Sequence, residues 1–384
     1  MLRGGAECWS SRAVGTLEFG SREPMVAWLG VQMLGGMHFS KHVSSICNIG
    51  MRCSGSKRFS IRSSLHVENG GVREEKPQLY GPELQGFADR VAACNGGKAR
   101  SSEFVPFKVE EYTVGYIHYR LVQRLKQFSD VFLTEGDEDL RRVPANSTPS
   151  YVTLNLNLST PEMRTEAVGG ILKTLRDEGL IRGWRNELYP VVLTYGERPF
   201  LLIERAAAKL FGIRAYGVHM NGYVTIDGEK HLWVAKRSDT KSTYAGRLDH
   251  IVAGGQPEGI SCKENVIKEC DEEAGIPREL AKKAVAVGAV SYDEIHDDCY
   301  SRDVLFCYDL ELPVDFQPYN KDGEVQSFER TPVSEAVKII RDTEEYKPNC
   351  ALVVIDFFIR HGYITPEQKG YLHLIRSLRS GEIL

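Results

Sequence analysis

The sequence predicts an α/β chain of two domains behind a leader, and three observations carry that expectation. Its 384 residues exceed one compact domain of about 100 to 150 residues. Period-two strands and capped helices follow one another along most of the chain. The first 70 residues differ in composition from everything after them.

The leader comes first. Between Met25 and His66 there is no Asp or Glu, while Lys41, Arg52, Lys57, Arg58 and Arg62 stand among serines, the composition of an organelle transit peptide. Glu7, Glu18 and Glu23 depart from that pattern, which makes Met25, Met33 or Met37 candidate starts. The expected compartment is the chloroplast stroma, with the mitochondrion as the alternative. The apolar run from Met25 to Met37 falls short of the roughly 20 residues that span a bilayer, and no membrane segment is expected. Nine cysteines, odd in number and without a Cys-x-x-Cys pair, speak against a disulfide framework or a zinc ribbon. A net charge of -4 lacks the basic face that nucleic acid demands, so no nucleic-acid partner is expected.

Residues 71–210 read as the smaller α+β domain. Leu121 to Phe132 is basic and helical in part, and Val152 to Leu158 alternates as a strand. Thr160-Pro161-Glu162 opens a helix with a cap, a proline in the first turn and an acid at the positive end; it runs to about Asp177 and stops at Gly179. A strand near Pro199 to Ile203 and a helix from Glu204 to Leu210 follow. Trp184, Arg185 and Glu187 suit two readings: they hold the organic part of a substrate by stacking and ion pairing, or they are a buried tryptophan beside a structural ion pair.

Residues 211–350 read as the second domain. Gly217 to Ile226 alternates, Asp227-Gly228 is a hairpin turn, and His231 to Arg237 returns. After a polar loop, Asp249 to Ala253 is a strand leading into Gly254 and Gly255. Ser261 with Glu264 three residues on is a capping box, and Gly275 suits the left-handed residue past a helix end. Val266, Ile267, Cys270 and Ala274 form the stripe that packs on a sheet. Glu269, Glu272 and Glu273 occupy the adjoining surface at i, i+3 and i+4, where they can share a hard divalent cation; by themselves they would equally be a solvated helix face. Ala284 to Tyr292 and Asp303 to Leu312 read as strands around an acidic loop, 293–298. The strand Gln326 to Pro332 and a helix from Ser334 complete the domain. The C-terminal part, 351–384, belongs to an apolar helix from Pro348 to Gly362 and another opened by Thr365-Pro366-Glu367-Gln368. These helices pack on the sheet or build a homodimer contact, and the oligomeric state stays open.

Gly254, the loop after it, position 260 and the run from Lys268 to Ile276 together resemble the Nudix box, the signature of hydrolases of diphosphate-linked compounds. The resemblance implies an α/β/α sandwich with a mixed sheet, in which Gly254, Gly255, Gly259 and Gly275 shape the loop. It implies Mg2+, or Mn2+, on Glu269, Glu273 and Glu272, with Glu272 as ligand or as the base that orients water. A further carboxylate is expected just ahead of a later strand; Glu324 is the first choice, with Glu294 and Glu329 behind it. Lys236 and Arg237 at the entrance of the loop before the box, with Lys241 and Arg247 inside it, are candidate phosphate ligands or members of a solvated loop. His219, His250 and His296 are candidate protonation partners or structural histidines. In the family pattern a glutamate and an arginine stand where this chain has Ile260 and Lys268, so the ion pair that braces loop against helix is missing while every metal carboxylate remains.

Trp184 to Val191, Glu204 to Ala208, Phe211 to Ile213 and Tyr216 to Tyr223 extend the resemblance over about residues 78–375. It reaches the plant organellar Nudix type numbered 20 and 24, whose extra N-terminal domain is related to one that accompanies thiamine pyrophosphokinase. That implies a small-molecule substrate, first of all oxy or oxo analogues of thiamine diphosphate, cleaved to the monophosphate and phosphate. The alternatives are a broader pyrophosphatase acting on nucleoside-diphosphate sugars, dinucleotides or prenyl diphosphates, and a non-catalytic Nudix binding module. Isopentenyl diphosphate isomerase shares the fold, but its Cys-Ser-His-Pro-like segment is missing here.

Overall fold

The computed structural model describes residues 78–134, 150–241, 243–321 and 323–381, and ahead of them four two-residue strand segments. The transit-peptide reading lies outside the described residues. The chain divides into compact units Met1–Glu75 and Lys76–Leu384, and everything below concerns the second.

That unit opens with helix α1 (Pro82–Ala93). Strands β1 (Phe104–Val109) and β2 (Tyr112–His118), helix α2 (Tyr119–Leu125), and strands β3 (Phe132–Thr134) and β4 (Val152–Leu154) follow, with sheet order β2-β1-β4-β3. Helix α3 (Pro161–Asp177) and the hairpin β5 (Leu188–Val191) and β6 (Leu201–Glu204) close this layer over Phe107, Ile117, Leu172 and Phe211. The start of α3 is set as its sequence implies: Thr160 Oγ1 accepts from the Met163 N–H, and Pro161 occupies the first turn, where its missing N–H costs nothing. Val168, Leu172 and Leu175 recur at helical spacing and bury one face.

Two expectations fail here. The strand from Val152 stops at Leu154, because Asn155 accepts from the Asn157 N–H in a turn and leaves Leu156 85% exposed. The helix from Glu204 shrinks to one 3-10 turn, Arg205–Ala207, capped by the Glu204 carboxylate accepting from Ala206 N–H and followed by turns that end at Gly212, φ 54°.

The larger sheet has strands β7 (Arg214–Ile226), β8 (Glu229–Arg237), β9 (Leu248–His250), β10 (Val252–Gly255), β11 (Val285–His296), β12 (Cys299–Glu311) and β13 (Val325–Pro332). The order is β9-β8-β7-β12-β11, with β13 added on β8, and it is mixed: β7 and β12 run parallel while the other pairs are antiparallel. The β7–β8 turn is Asp227-Gly228, both at positive φ as a type I′ hairpin requires. One edge of β7 changes partner along its length. Val218 and His219 pair with β10, whereas Tyr223 to Ile226 pair with β8. A fork therefore opens between β8 and β10, and the site described below sits in it.

Helix α4 (Cys262–Ala274) and the short α5 (Arg278–Ala281) cover one face through Val266, Cys270 and Ala281 against Val218, Met220 and Leu310. Helices α6 (Val333–Asp342), α7 (Pro348–Arg360) and α8 (Tyr371–Ser377) cover the other, joined by α1 from the far end of the chain. The result is the expected α/β/α sandwich. Residues 350–358 of α7 are buried in its core, so truncating Phe357 or Phe358 would cost about 3–5 kcal/mol.

The acidic stretch 293–298 is not a loop: β11 continues through it, paired to β12 as far as His296, and turns at Asp297 with φ 53°. No helix starts at Thr365 either. Its N–H is taken by the Gln368 side chain, and α8 begins only after Gly370, at φ 100°. Among the described residues no helix is long and apolar enough to cross a membrane.

Candidate active site

The carboxylate helix is locked at both ends. Ser261 Oγ accepts from Glu264 N–H at 3.2 Å, and Gly275 takes the left-handed conformation at φ 61°. These caps fix which residues face the fork. Glu273 Oε2 accepts from the Ala253 N–H at 2.7 Å, so the last turn of α4 is tied to β10. Glu269 lies against Gly254 so closely that a Cβ on residue 254 would overlap its carboxyl group. Gly259 sits at φ 85° and turns the chain toward the helix.

Electrostatics separate the three glutamates. Burial drives the Glu273 carboxyl well above the usual range, and Glu269, Asp249 and Glu324 nearby add to the shift against the Ala253 hydrogen bond. Glu269 is also raised by burial, with Lys268 opposing. Glu324 reaches the fork from the turn before β13, its Oε2 2.5 Å from Lys241 Nζ; burial pushes it up, but Lys241, Arg185 and Arg237 outweigh this and hold it below its usual range. Glu272 is nearly half exposed and pairs with Lys268 Nζ at 2.7 Å, while Lys268 also meets Glu269 at 3.1 Å. The fork thus gathers Glu269, Glu273 and Glu324, with Glu272 on its outer rim.

Lys268 turns along its own helix and Ile260 offers no charge, so an ion pair does not brace the loop. A buried amide pair does. Asn265 Nδ2 donates to the Gly255 carbonyl at 2.7 Å and to Gln256 Oε1 at 3.1 Å, while Gln256 Nε2 donates to the Ile260 carbonyl at 2.5 Å. Both residues are at most 2% exposed, where an unmade hydrogen bond is costly.

The cations expected to meet phosphate are otherwise engaged. Arg237 donates to Asp249 Oδ2 at 2.6 Å and to the Thr243 carbonyl, Lys241 holds Glu324, and Arg247 turns away from the fork to the Glu344 carbonyl. Behind the fork lies a buried group. His219 Nδ1 and His250 Nδ1 are 3.3 Å apart, and Cys350 Sγ donates to Asp249 Oδ1 at 2.7 Å. The two rings and the sulfur have ligand atoms within 4.8 Å of one another, a composition that soft metals accept. Burial drives both imidazoles toward the neutral form, His250 down to about 4. Burial raises Asp249, but Lys347, His250, Cys350 and Arg237 together hold it ionised. His296 is remote from this group, exposed beside Asp297.

Sequence reasoning missed Gln256, Asn265, Asp249 and Lys347, whose roles arise from pairing across the fold. It also missed Tyr189 and Arg205 of the N-terminal layer, which press on Gly255 so that a side chain there would collide with the Tyr189 hydroxyl and crowd the Arg205 guanidinium.

Comparison with known proteins then places the chain. Residues 218–351 match the NUDIX domain family, and residues 86–215 match a domain of unknown function, DUF4743. Nudix hydrolase 20, chloroplastic, of Arabidopsis thaliana is 53% identical over 309 residues, covering 80% of this chain and 82% of that protein. The chain belongs to the Nudix hydrolase family. Nudix hydrolase 24, chloroplastic, from the same plant is 50% identical over 310 residues, 81% of this chain and 82% of that protein. An uncharacterized protein of Saccharomyces cerevisiae is 41% identical over 210 residues, 51% of this chain and 60% of its own length.

As a Nudix hydrolase the chain hydrolyses pyrophosphate bonds, and enzymes of this family generally use divalent metal ions. The residues in the fork fit such an ion. Their donors are carboxylate oxygens, the ligands of hard cations, and Glu273, raised first by burial, is raised further by Glu269, Asp249 and Glu324 beside it.

Proposed function

We propose that this Nudix hydrolase is a Mg2+-dependent, alternatively Mn2+-dependent, enzyme that cleaves thiamine diphosphate analogues of the oxy or oxo kind to the monophosphate and phosphate, in the chloroplast. The observation that carries the reaction is the convergence of Glu269, Glu273 and Glu324 on one fork beside Gly254 and Gly255 at the end of β10. The substrate reading rests on the resemblance of residues 78–375 to the thiamine-linked subgroup, and the compartment on the chloroplastic names of the two plant relatives.

Glu269 and Glu273 hold the cation, with Glu272 at the rim as a further ligand. A divalent ion held by these carboxylates would supply charge neutralisation at the non-bridging oxygens of the diphosphate and would acidify water. Glu324 is the carboxylate suited to take the proton from the attacking water, because Lys241 keeps it ionised at neutral pH and fixes one of its oxygens. The tie from Glu273 to the Ala253 N–H keeps helix and strand in register while charge builds on phosphorus.

The test is turnover by the purified chain with Mg2+ against a panel of oxo- and oxythiamine diphosphate, thiamine diphosphate, ADP-ribose, a nucleoside-diphosphate sugar, a dinucleotide and a prenyl diphosphate. The expected result is the highest kcat/KM for the oxidised thiamine analogues. An even response across the panel would overturn the substrate reading and leave a broad pyrophosphatase.

A further inference from the structure

We propose that the N-terminal layer forms the second wall of the catalytic fork, and that Arg185 and Arg205 are the side chains that bind the diphosphate of the substrate. This rests on the placement of the fork given above, and it gives the N-terminal domain a part in the reaction.

The first support is what the nearer cations do. Arg237 is held by Asp249, Lys241 by Glu324, Lys268 by Glu269 and Glu272, and Arg247 by a carbonyl outside the fork. A diphosphate carries more negative charge than one divalent ion cancels, so a carboxylate-rich fork needs a further cation to accept it. Arg185 meets that need. Its guanidinium has no hydrogen-bond or ion-pair partner among the described residues, it is exposed, and it lies close enough to Glu324 to act on that carboxylate.

The second support is geometry at the two glycines that end β10. Gly254 carries Glu269 against it, and the next residue, Gly255, carries Arg205 and Tyr189. Successive strand residues face opposite sides, so Glu269 and Arg205 approach the end of β10 from its two faces, near enough for the arginine to act on that carboxylate. Arg205 is held there by Glu187, Nη1 to Oε2 at 2.7 Å, yet its side chain stays 41% exposed and keeps donors for an incoming oxyanion. Main-chain hydrogen bonds fix the contact: Glu258 N–H to the Leu188 carbonyl at 3.0 Å and Arg205 N–H to the Glu187 carbonyl at 2.8 Å.

The third support is a single buried anchor for both arginines. Glu204, 3% exposed, accepts from the Arg185 N–H at 2.9 Å and from the Ala206 N–H at 3.3 Å, holding the two segments side by side. Glu204 is accordingly a positioning residue. Trp184, one residue before Arg185, is fixed through Nε1 to Asn186 Oδ1 at 2.8 Å and by Arg176, whose guanidinium lies 4.8 Å over its ring, so it steadies the segment that carries Arg185.

The test uses imidodiphosphate, a non-hydrolysable diphosphate, titrated calorimetrically into the full chain with Mg2+, beside Mn2+ binding followed by electron paramagnetic resonance. Arg185→Ala and Arg205→Ala are each expected to weaken imidodiphosphate binding about tenfold or more. Mn2+ affinity should stay as in the wild type, and Arg205→Lys should recover part of the loss. Glu273→Gln is expected to abolish Mn2+ binding; if it does not, the placement of the metal site fails, and the arginine result still stands or falls by itself. Wild-type imidodiphosphate affinity in Arg185→Ala would overturn the proposal even if Arg205→Ala proved unstable, because the exposed Arg185 guanidinium has no hydrogen-bond or ion-pair partner among the described residues.

Discussion

Asn265, fully buried in the carboxylate helix, donates its side-chain amide both to the Gly255 carbonyl and to Gln256 Oε1, so one side chain sets the loop that leads into its own helix. This is the work an ion pair between positions 260 and 268 would do in the family pattern, carried out by uncharged groups. Replacing Asn265 by Leu removes the donor and leaves two acceptors, the Gly255 carbonyl and Gln256 Oε1, without it. The expected cost is about 1–3 kcal/mol, read from urea unfolding, together with lower kcat. The double change Ile260→Glu, Lys268→Arg should alter stability by less than about 1 kcal/mol, since Lys268 is half exposed and the amide pair already holds the loop. A stability gain well above that from the double change would show that the amide pair is no substitute.

Gly254 makes a second prediction because its role is close approach and not a positive φ. Any Cβ there meets the Glu269 carboxyl, while the backbone itself is ordinary strand. Gly254→Ala should therefore fold, with Mn2+ affinity and kcat each reduced about tenfold or more as Glu269 is displaced. Normal metal binding in a folded Gly254→Ala protein would refute the contact. Gly259→Ala acts through φ 85° instead, so its effect should appear mainly in stability, about 1 kcal/mol.

These two glycines also mark how far the sequence could be read. The caps at Ser261 and Gly275, the apolar stripe of α4 and the Asp227-Gly228 turn are local signals, decided within a few residues, and the helix and hairpin form where those signals stand. Alternation proved weaker. It ran on past Leu154 although Asn155 turns the chain, and it gave no sign that β11 and β12 would pair through the acidic residues as far as His296. The three box glutamates were legible as a set, yet only packing against β10 shows Glu273 facing the fork and Glu272 the rim. The cations were the hardest to place. Arg237, Lys241 and Arg247 stood next to the box in chain order, whereas proximity in space is decided by Asp249, Glu324 and the Glu344 carbonyl.

The unequal placement of the glutamates should appear in rates. Glu273→Gln removes a group wedged between α4 and the Ala253 N–H, and kcat is expected to fall about a hundredfold or more. Glu324→Gln should cost a similar factor and flatten the acid limb of the pH–rate profile, because the carboxylate that Lys241 keeps ionised is gone. Glu272→Gln, at the rim with Lys268, should cost about tenfold. A Glu272→Gln loss larger than that of Glu273→Gln would reverse the order assigned here.

His250 supplies the pH dependence of stability. Burial lowers it from 6.5 to about 4, with Asp249 and Asp309 pulling it up and Lys347 pushing it further down, and buried His219 and Cys350 sit against it. In the native state it is neutral, whereas the unfolded chain binds a proton below about 6.5, so between 6.5 and 4 the unfolded state holds more protons. The stability that His250 contributes must then fall as pH drops through that window, by about 3 kcal/mol at most, and the loss ends below about 4, while Glu273 and Glu269, raised by burial, act with the opposite sign. His219, also pushed down by burial, adds in the same direction. Asp249 does not mask the effect, because its contribution is present above its ordinary value of 3.8 and is lost only beneath it. Urea unfolding at pH 7.5 and pH 5 should show the wild type losing more stability on acidification than His250→Asn, whose amide keeps a polar group in the cluster without a titrating proton. Equal losses in the two proteins would mean that His250 is not held neutral in the fold.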